Sequence, residues 1–401
     1  MFDGTPVKPS KREPNRPPKA DAGSAKVGGP GSRPPLRRKG GDRRKPWGSS
    51  LVILLGVLLM VASGTTYYLL NDTLAKVNKS ITTDNLLGTD AATGKSINGV
   101  LNILLIGVDT RPDNTIGSRS DSIIIMHVPA SHDRAYLVSI PRDTYVDIPG
   151  HGMNKINAAF QYGSANKGGY KLGAQMLTAT LKQDYGLTFN AAMVVNFDGF
   201  QDIVNALGGV TMYVDENTKS LHHGYKIVNG KKVNAAPFVT YNNGATWHAV
   251  PGVTPVIYTK GTHHLSAYEA LDYVRIRDFL PNGDYDRERH QQQFIKAVLK
   301  EAVQKGLNDP LNADKLLSSL KNAFVFDPGT HTLDDWIFSL KGISPNSMIT
   351  IQTNGGTYDS GNVNGQSIQK LSDTSEQLIQ AVKDDTVDQF IQQNPSWVSN
   401  S

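Results

Sequence analysis

The sequence predicts an α/β fold built on one main sheet. Two observations lead there, and a third sets the domain's place. Apolar runs of strand length recur between residues 102 and 214, and segments of helical period alternate with them. A 22-residue stretch without a charge, Ser49 to Leu70, precedes them all. Runs that are apolar throughout suit central strands covered on both faces, and interleaved helices supply the cover.

The chain starts with a basic segment. Residues 1–46 hold 13 Lys/Arg against 4 Asp/Glu, a local balance of +9 in a chain whose total is +5, so the remainder carries −4. The segment is rich in Pro and Gly and nearly lacks aromatics. It cannot bury enough apolar surface to offset the entropy of ordering, so it is expected to be disordered. A helix placed at 47–70 follows. At about 1.5 Å rise per residue its apolar stretch is long enough to cross a hydrocarbon core of about 30 Å. Trp47 at one end and Tyr67 and Tyr68 at the other suit the interfaces. Arg43-Arg44-Lys45 abuts the N-terminal end, which puts the tail in the cytoplasm and everything after residue 70 outside. A cleaved signal peptide would start nearer the N-terminus. A buried core helix would show a polar face. With no cysteine, disulfides and thiolate metal sites are excluded.

Residues 71–97 are polar and irregular and form a linker. The domain is placed at 98–394. Its strand signals are Asn102–Val108, ending at Asp109, then Ser122–Val128, Ala135–Ile140, Ala192–Phe197 and Val210–Val214. Helical spacing puts Leu172, Met176, Leu177 and Leu181 on one stripe of residues 169–184. Residues 198–207 start with Asp198 as a candidate cap and end before Gly208-Gly209. Residues 286–304 align Phe294, Ile295, Val298 and Leu299. Further helices are expected at 311–324, 332–342 and 366–392. Residues 216–262, rich in Gly, Asn, His and Tyr, form a long excursion without an assigned element.

The polar residues at the ends of the apolar runs bear on function. Asp109 and Arg111 follow the first run, Arg119-Ser120-Asp121 leads into the second, and Arg142 and Asp143 follow the third. Arg275 and Arg277 come later, then Asp284, Arg287 and Gln291. In open α/β sheets ligands gather outside strand ends. Several arginines with two or three aspartates suit a polyphosphate and a metal ion, because guanidinium forks bind phosphate oxygens and carboxylates hold Mg²⁺ against them. Arg287 and Gln291 stand four apart and share a helix face. Arg275 and Arg277 share a face only in extended backbone, at a cleft rim. Taken singly, an aspartate at a strand end is more often a turn residue, and a lone arginine is more often a surface ion-pair partner of little energetic weight. His222, His223, His263 and His264 lack the spacing of a zinc site.

In combination these residues resemble a known family. Gly107-Val108-Asp109-Thr110-Arg111, Arg119-Ser120-Asp121-Ser122, Ser139-Ile140-Pro141-Arg142-Asp143, Lys155 to Phe160, Leu207-Gly208-Gly209-Val210, Ala270 to Arg277 and Asp284 to Gln293 resemble the LytR-CpsA-Psr family in order and spacing over roughly residues 100–300. One departure is visible. The family often has Gly before the arginine at 287 and a further Arg before the glutamines, where this chain has Asp286 and His290. The resemblance implies an α/β/α sandwich with a central mixed sheet, preceded by one transmembrane helix. It implies an extracytoplasmic phosphotransferase that moves a glycopolymer phosphate from a polyprenyl-pyrophosphate carrier to peptidoglycan at the cytoplasmic membrane. Asp109 and Asp121 would hold Mg²⁺ (or Mn²⁺). Arg119, Arg142, Arg275, Arg277, Arg287 and Gln291 would grip the pyrophosphate, with Asp284 as a further polar contributor. The catalytic set would be Asp109, Asp121, Arg142 and Arg277, and sheet and helices would enclose an apolar tunnel for the polyprenyl chain.

Guanidinium groups and a divalent ion suit that reaction, since both stabilise charge on a transferring phosphoryl group and on its leaving phosphate. The alternatives are a hydrolase acting on the same pyrophosphate and a non-catalytic lipid-binding scaffold. The basic tail suggests a DNA-binding regulator, but it shows no helical period, no aromatic interleaving and no recognised motif, so no nucleic-acid partner is expected.

Overall fold

The computed structural model describes residues 82–92, 96–109, 116–241, 246–306, 323–340, 342–357 and 359–399. The tail at 1–46, the helix placed at 47–70, Arg111 and nearly all of the helix placed at 311–324 lie outside them. Among the described residues no helix is long and apolar enough to cross a membrane.

Seven strands make one mixed sheet: Thr82–Thr83 (β1), Leu101–Asp109 (β2), Arg119–Val128 (β3), Ala135–Ser139 (β4), Ala191–Val195 (β5), Phe324–Asp327 (β6) and Met348–Gln352 (β7). Their order is β1-β6-β5-β2-β3-β4-β7. The pairs β1/β6, β5/β2 and β4/β7 are parallel, and β6/β5, β2/β3 and β3/β4 antiparallel. The helices are Ile156–Ser164 (α1), Gly169–Tyr185 (α2), Phe197–Ala206 (α3), Ala267–Tyr273 (α4), Asp284–Gly306 (α5), Leu333–Leu340 (α6), Asp373–Asp384 (α7) and Val387–Gln393 (α8).

Strand alternation sorts the core in two. Leu101, Ile103 and Leu105 of β2 join one apolar cluster with Phe200 of α3 and Phe294 and Val298 of α5. Leu104, Ile106 and Val108 join the other with Phe160 of α1, Leu177 of α2 and Leu378 of α7. Successive side chains point to opposite faces, so an unbroken apolar run buries both. The packed unit takes in chain on either side of 98–394. β1 pairs with β6, the buried Leu86 and Leu87 donate their N–H groups to Asp327, and Val398 bridges to Ile351.

Several expectations need correction. Val210–Val214 is a strand, but it pairs antiparallel with Gly261–Leu265 outside the main sheet and exposes Thr211 and Tyr213. Asn196, not Asp198, caps α3: its side chain accepts a hydrogen bond from the Gly199 N–H at 2.9 Å. Leu172 is 48% exposed, because Gly173, Ala174, Leu177 and Leu181 make the buried stripe of α2. Phe324 lies in a strand. Residues 366–392 are not one helix: Gln366–Gln369 forms a hairpin with Ser360–Val363, Ser372 caps α7, and Asp385 turns left-handed at φ 57° before α8. The excursion is an arm of antiparallel strands. Thr218–Val228 pairs with Lys231–Ala235 and with Thr254–Tyr258, and Phe238–Tyr241 pairs with Thr246–Ala249.

Candidate active site

Four segments meet at one end of the central strands. β2 ends and β3 begins there, with Asp109 opposite Arg119 and a register shift between Gly107 and Val108. Such a bulge re-aims side chains where pairing ends. The chain enters β3 through Gly117 at φ +79°, where a Cβ would stand 2.3 Å from the Gln161 carbonyl oxygen, so only glycine lets it press against α1. The turn after β4 delivers Arg142. Arg275 and Arg277 follow α4, and α5 opens with Asp284.

Asp284 is the hub. Its carboxylate lies 2.6 Å from Arg287 Nη1, 3.5 Å from Arg142 Nε and 3.9 Å from Arg277 Nη1. Burial pushes its pKa up, but Arg287, Arg142 and Arg277 outweigh that and hold the carboxyl well below the usual range. Arg142 Nη1 donates to Asp121 Oδ1 at 2.8 Å, and Arg287 Nη2 to the Asp121 backbone carbonyl at 3.4 Å. Burial disfavours the Arg142 charge, yet Asp284 and Asp121 raise its pKa well above the ordinary value. Arg275 lies with its guanidinium 4.9 Å from the centroid of the Phe197 ring. Burial lowers its pKa against the pull of Asp272 and Asp121. It sits in a turn and not in extended backbone. The side chain of Arg277 is 42% exposed and borders the opening, 3.4 Å from Asp278.

Two buried donors of this cluster, on Gln291 and Arg287, lack acceptors. Gln291 Oε1 accepts from Ser122 Oγ at 2.8 Å, while its buried Nε2 meets no hydrogen-bond partner. The buried Nε of Arg287 is likewise without one. Buried donors are rarely left so unless something else accepts from them. Arg119 stands apart from this cluster. Its backbone N–H donates to Asp109 Oδ1 at 2.5 Å, and its side chain turns to Gln161 Oε1 at 2.8 Å. Asp109 and Asp121 are both 2% exposed, on adjacent strands.

The structure adds two features that the motif residues alone did not single out. Lys155 Nζ lies 3.0 Å from Asp143 Oδ2 and ties the start of α1 to the turn carrying Arg142. Glu288, one helical turn from Asp284, is buried. Desolvation pushes its carboxyl up to about 8 despite Arg287 beside it. Its signal in the sequence was its place on the 284, 287, 288, 291 face of α5. Asp286 and His290, the two departures from the family pattern, lie on the opposite face. Asp286 accepts the Asn282 N–H at 2.7 Å, and the His290 ring stacks on Tyr273 at 4.3 Å. Asp286 pairs with Arg289 and His290 with Asp215, away from the Asp284 cluster.

Such a cleft can hold a diphosphate: four guanidinium groups converge around two carboxylates, with orphaned donors beneath. The chain matches the model of the LytR_cpsA_psr family over residues 64–384. It is 30% identical over 326 residues to a polyisoprenyl-teichoic acid–peptidoglycan teichoic acid transferase TagU of Oceanobacillus iheyensis, covering 79% of this chain and 88% of that relative. The crystal structure of B. subtilis TagV superimposes with a TM-score of 0.51 at 19% identity, over 73% of this chain and 98% of that one. TagT bound to LI-WTA gives 0.51 at 21% identity, over 76% and 99%.

Proposed function

The chain belongs to the LytR_cpsA_psr family, and from that premise we propose that it transfers a glycopolymer phosphate from a polyprenyl-pyrophosphate carrier to peptidoglycan. The observation that carries this reading is the cluster of Arg142, Arg275, Arg277 and Arg287 around Asp121 and Asp284, with the donors of Arg287 and Gln291 left open beneath it. The name of the Oceanobacillus relative supports a teichoic acid as the polymer.

In the proposed reaction an acceptor hydroxyl of the wall glycan attacks the polymer-side phosphorus. A new P–O bond forms to that oxygen, and the P–O bond to the bridging oxygen breaks. The hydroxyl proton goes to a base, and the lipid phosphate leaves. Arg142, Arg277 and Arg287 stabilise the charge that builds on the transferring phosphoryl group, and Gln291 donates to its oxygens. Asp284, held ionised by three arginines, is a poor base and a good positioner. The residues present fit a divalent ion: Asp109 and Asp121 offer buried carboxylate oxygens, hard donors that suit Mg²⁺ or Mn²⁺. When bound, that ion would neutralise pyrophosphate charge. The domain is proposed to work outside the cytoplasmic membrane behind an α-helical anchor at 47–70, as an α/β/α sandwich with the polyprenyl chain between sheet and helices.

The test is transfer from a lipid-linked donor, with products analysed with and without peptidoglycan. Polymer attached to peptidoglycan, lost in chelator and in Asp121→Ala, supports the reading. Free polymer phosphate released at the same rate whether or not peptidoglycan is present would assign a hydrolase instead. Full activity in excess chelator would remove the metal.

A further inference from the structure

The face of α5 turned away from the cleft carries a second cluster, whose partners come from the segment after Val210–Val214. Arg289 Nε lies 2.6 Å from Asp215 Oδ2 and its Nη2 lies 2.8 Å from Glu216 Oε1, while Nη1 bonds Asp286. Gln293 Nε2 also donates to Asp215 Oδ2, at 3.0 Å. Three carboxylates thus face one guanidinium, with the His290 ring beside two of them.

The oxygen of Asp215 that Arg289 leaves open is the informative atom. Asp215 Oδ1 is buried, meets no hydrogen bond, and stands 3.4 Å from His290 Nε2. That ring nitrogen also meets no hydrogen bond, and Glu216 Oε1 lies 4.0 Å from it. Donor atoms of all three side chains fall within 4.8 Å of one another. Two ligands each about 2.0–2.2 Å from a tetrahedral ion stand about 3.3 Å apart, close to the 3.4 Å between Asp215 and His290 and shorter than the 4.0 Å between Glu216 and His290. The His290 side chain is 0% exposed and its ring is fixed by stacking on Tyr273 with planes 20° apart. The Asp215 and Glu216 side chains, 20% and 32% exposed, leave a way in for an ion and for a water as fourth ligand.

We propose that Asp215, Glu216 and His290 bind one divalent transition-metal ion of the zinc type, clamping the root of the antiparallel arm to α5. One imidazole nitrogen with two carboxylate oxygens suits a borderline ion better than magnesium, which prefers an all-oxygen octahedron. The site is separate from Asp109 and Asp121, on the other side of the helix that carries Asp284 and Arg287. An ion there adds positive charge among three carboxylates and a further tie between the root of the arm and α5, beside those of Arg289 and Gln293.

The experiment uses the full chain in detergent, stripped with chelator, dialysed, and titrated separately with Zn²⁺ and Mg²⁺. Bound metal is counted by elemental analysis and melting temperature is recorded. One Zn²⁺ held through His290 is expected, with the melting temperature raised by roughly 5 °C at saturating ion beyond any shift that Mg²⁺ gives. His290→Gln should lose both the ion and the shift. If that variant fails to fold, Glu216→Gln, at a partly exposed position, gives the same readout. The double variant His263→Gln/His264→Gln, on the strand paired with Val210–Val214, should keep both. Equal zinc binding by wild type and His290→Gln, loss of binding in that double variant, or no shift in wild type would each overturn the site.

Discussion

Arg277 tests the cleft at the scale of one side chain. Its side chain is 42% exposed, against 14% for Arg142 and 3% for Arg287, and it is held by longer contacts of 3.4 Å to Asp278 and 3.9 Å to Asp284. A partly exposed pair contributes little to stability. Lysine keeps the charge and loses the planar fork that grips two phosphate oxygens. Arg277→Lys should lose most transfer activity with a melting temperature near wild type, and a variant silent in both assays would take Arg277 out of the site. Glu288 is the converse case, a titratable group whose effect is on stability. Its carboxyl is protonated in the fold up to about 8, against an ordinary value of 4.5. Between those values the folded state holds a proton that the unfolded chain has lost. The stability it contributes is full below 4.5 and is lost as pH rises through that window, at up to about 1.4 kcal/mol per unit. Glu288→Gln, which cannot ionise, should match wild type near pH 5 and melt higher than it at pH 8.5. Parallel curves for the two proteins would show that Glu288 does not hold this proton.

Among the elements, α5 is where sequence and structure agree best and where the sequence also says least about division of labour. Its apolar stripe and its Arg287–Gln291 face were legible from period alone. What was not legible is that neighbouring glutamines have different tasks. Gln291 opens into the cleft, whereas the buried Gln292 donates from Nε2 to Ser139 Oγ at 2.7 Å and to the carbonyls of Ile351 and Leu137 at 3.1 and 3.3 Å. It stitches α5 to β4 and β7. Gln292→Ala should cost stability, on the order of 1–3 kcal/mol for lost buried hydrogen bonds, and leave donor affinity close to wild type. A loss of affinity with unchanged melting temperature would move Gln292 into the binding site. Two of the missed strands share one cause. Met348–Gln352 and Phe324–Asp327 are short strands whose apolar residues suit helix or strand equally, and long-range pairing with β4 and β5 decides between them. The helix expected over 366–392 failed for local reasons instead, at Gly365, Ser372 and Asp385, residues whose turn and cap chemistry overrides an apolar period. Similarly, the cleft arginines were recognisable from motif order, but Asp284 as their hub was not, since a hub is defined by what converges on it.

For the whole molecule the charge step is the governing feature. A tail of +9 precedes an uncharged 22-residue stretch, and the remaining 355 residues are mildly acidic. Basic residues beside a membrane-spanning helix favour the cytoplasmic side, because translocating them costs more than retaining them. Both proposed substrates belong to the far side: a polyprenyl carrier confined to the bilayer and a wall polymer beyond it. The proposed anchor would keep the cleft near the bilayer surface and raise its effective concentration toward the carrier, so the proposed topology and the proposed chemistry require one orientation. The absence of cysteine gives a clean test. Lys8→Cys places a thiol in the tail, and Lys231→Cys places one at an exposed position in the arm. In intact protoplasts a membrane-impermeant maleimide should label the Lys231→Cys chain and spare the Lys8→Cys chain. Lysis should make both reactive. Labelling of Lys8→Cys before lysis, with Lys231→Cys protected, would invert the orientation. It would also leave the arginine cleft on the side of the membrane where no peptidoglycan acceptor exists, so the proposed transfer would fall with it.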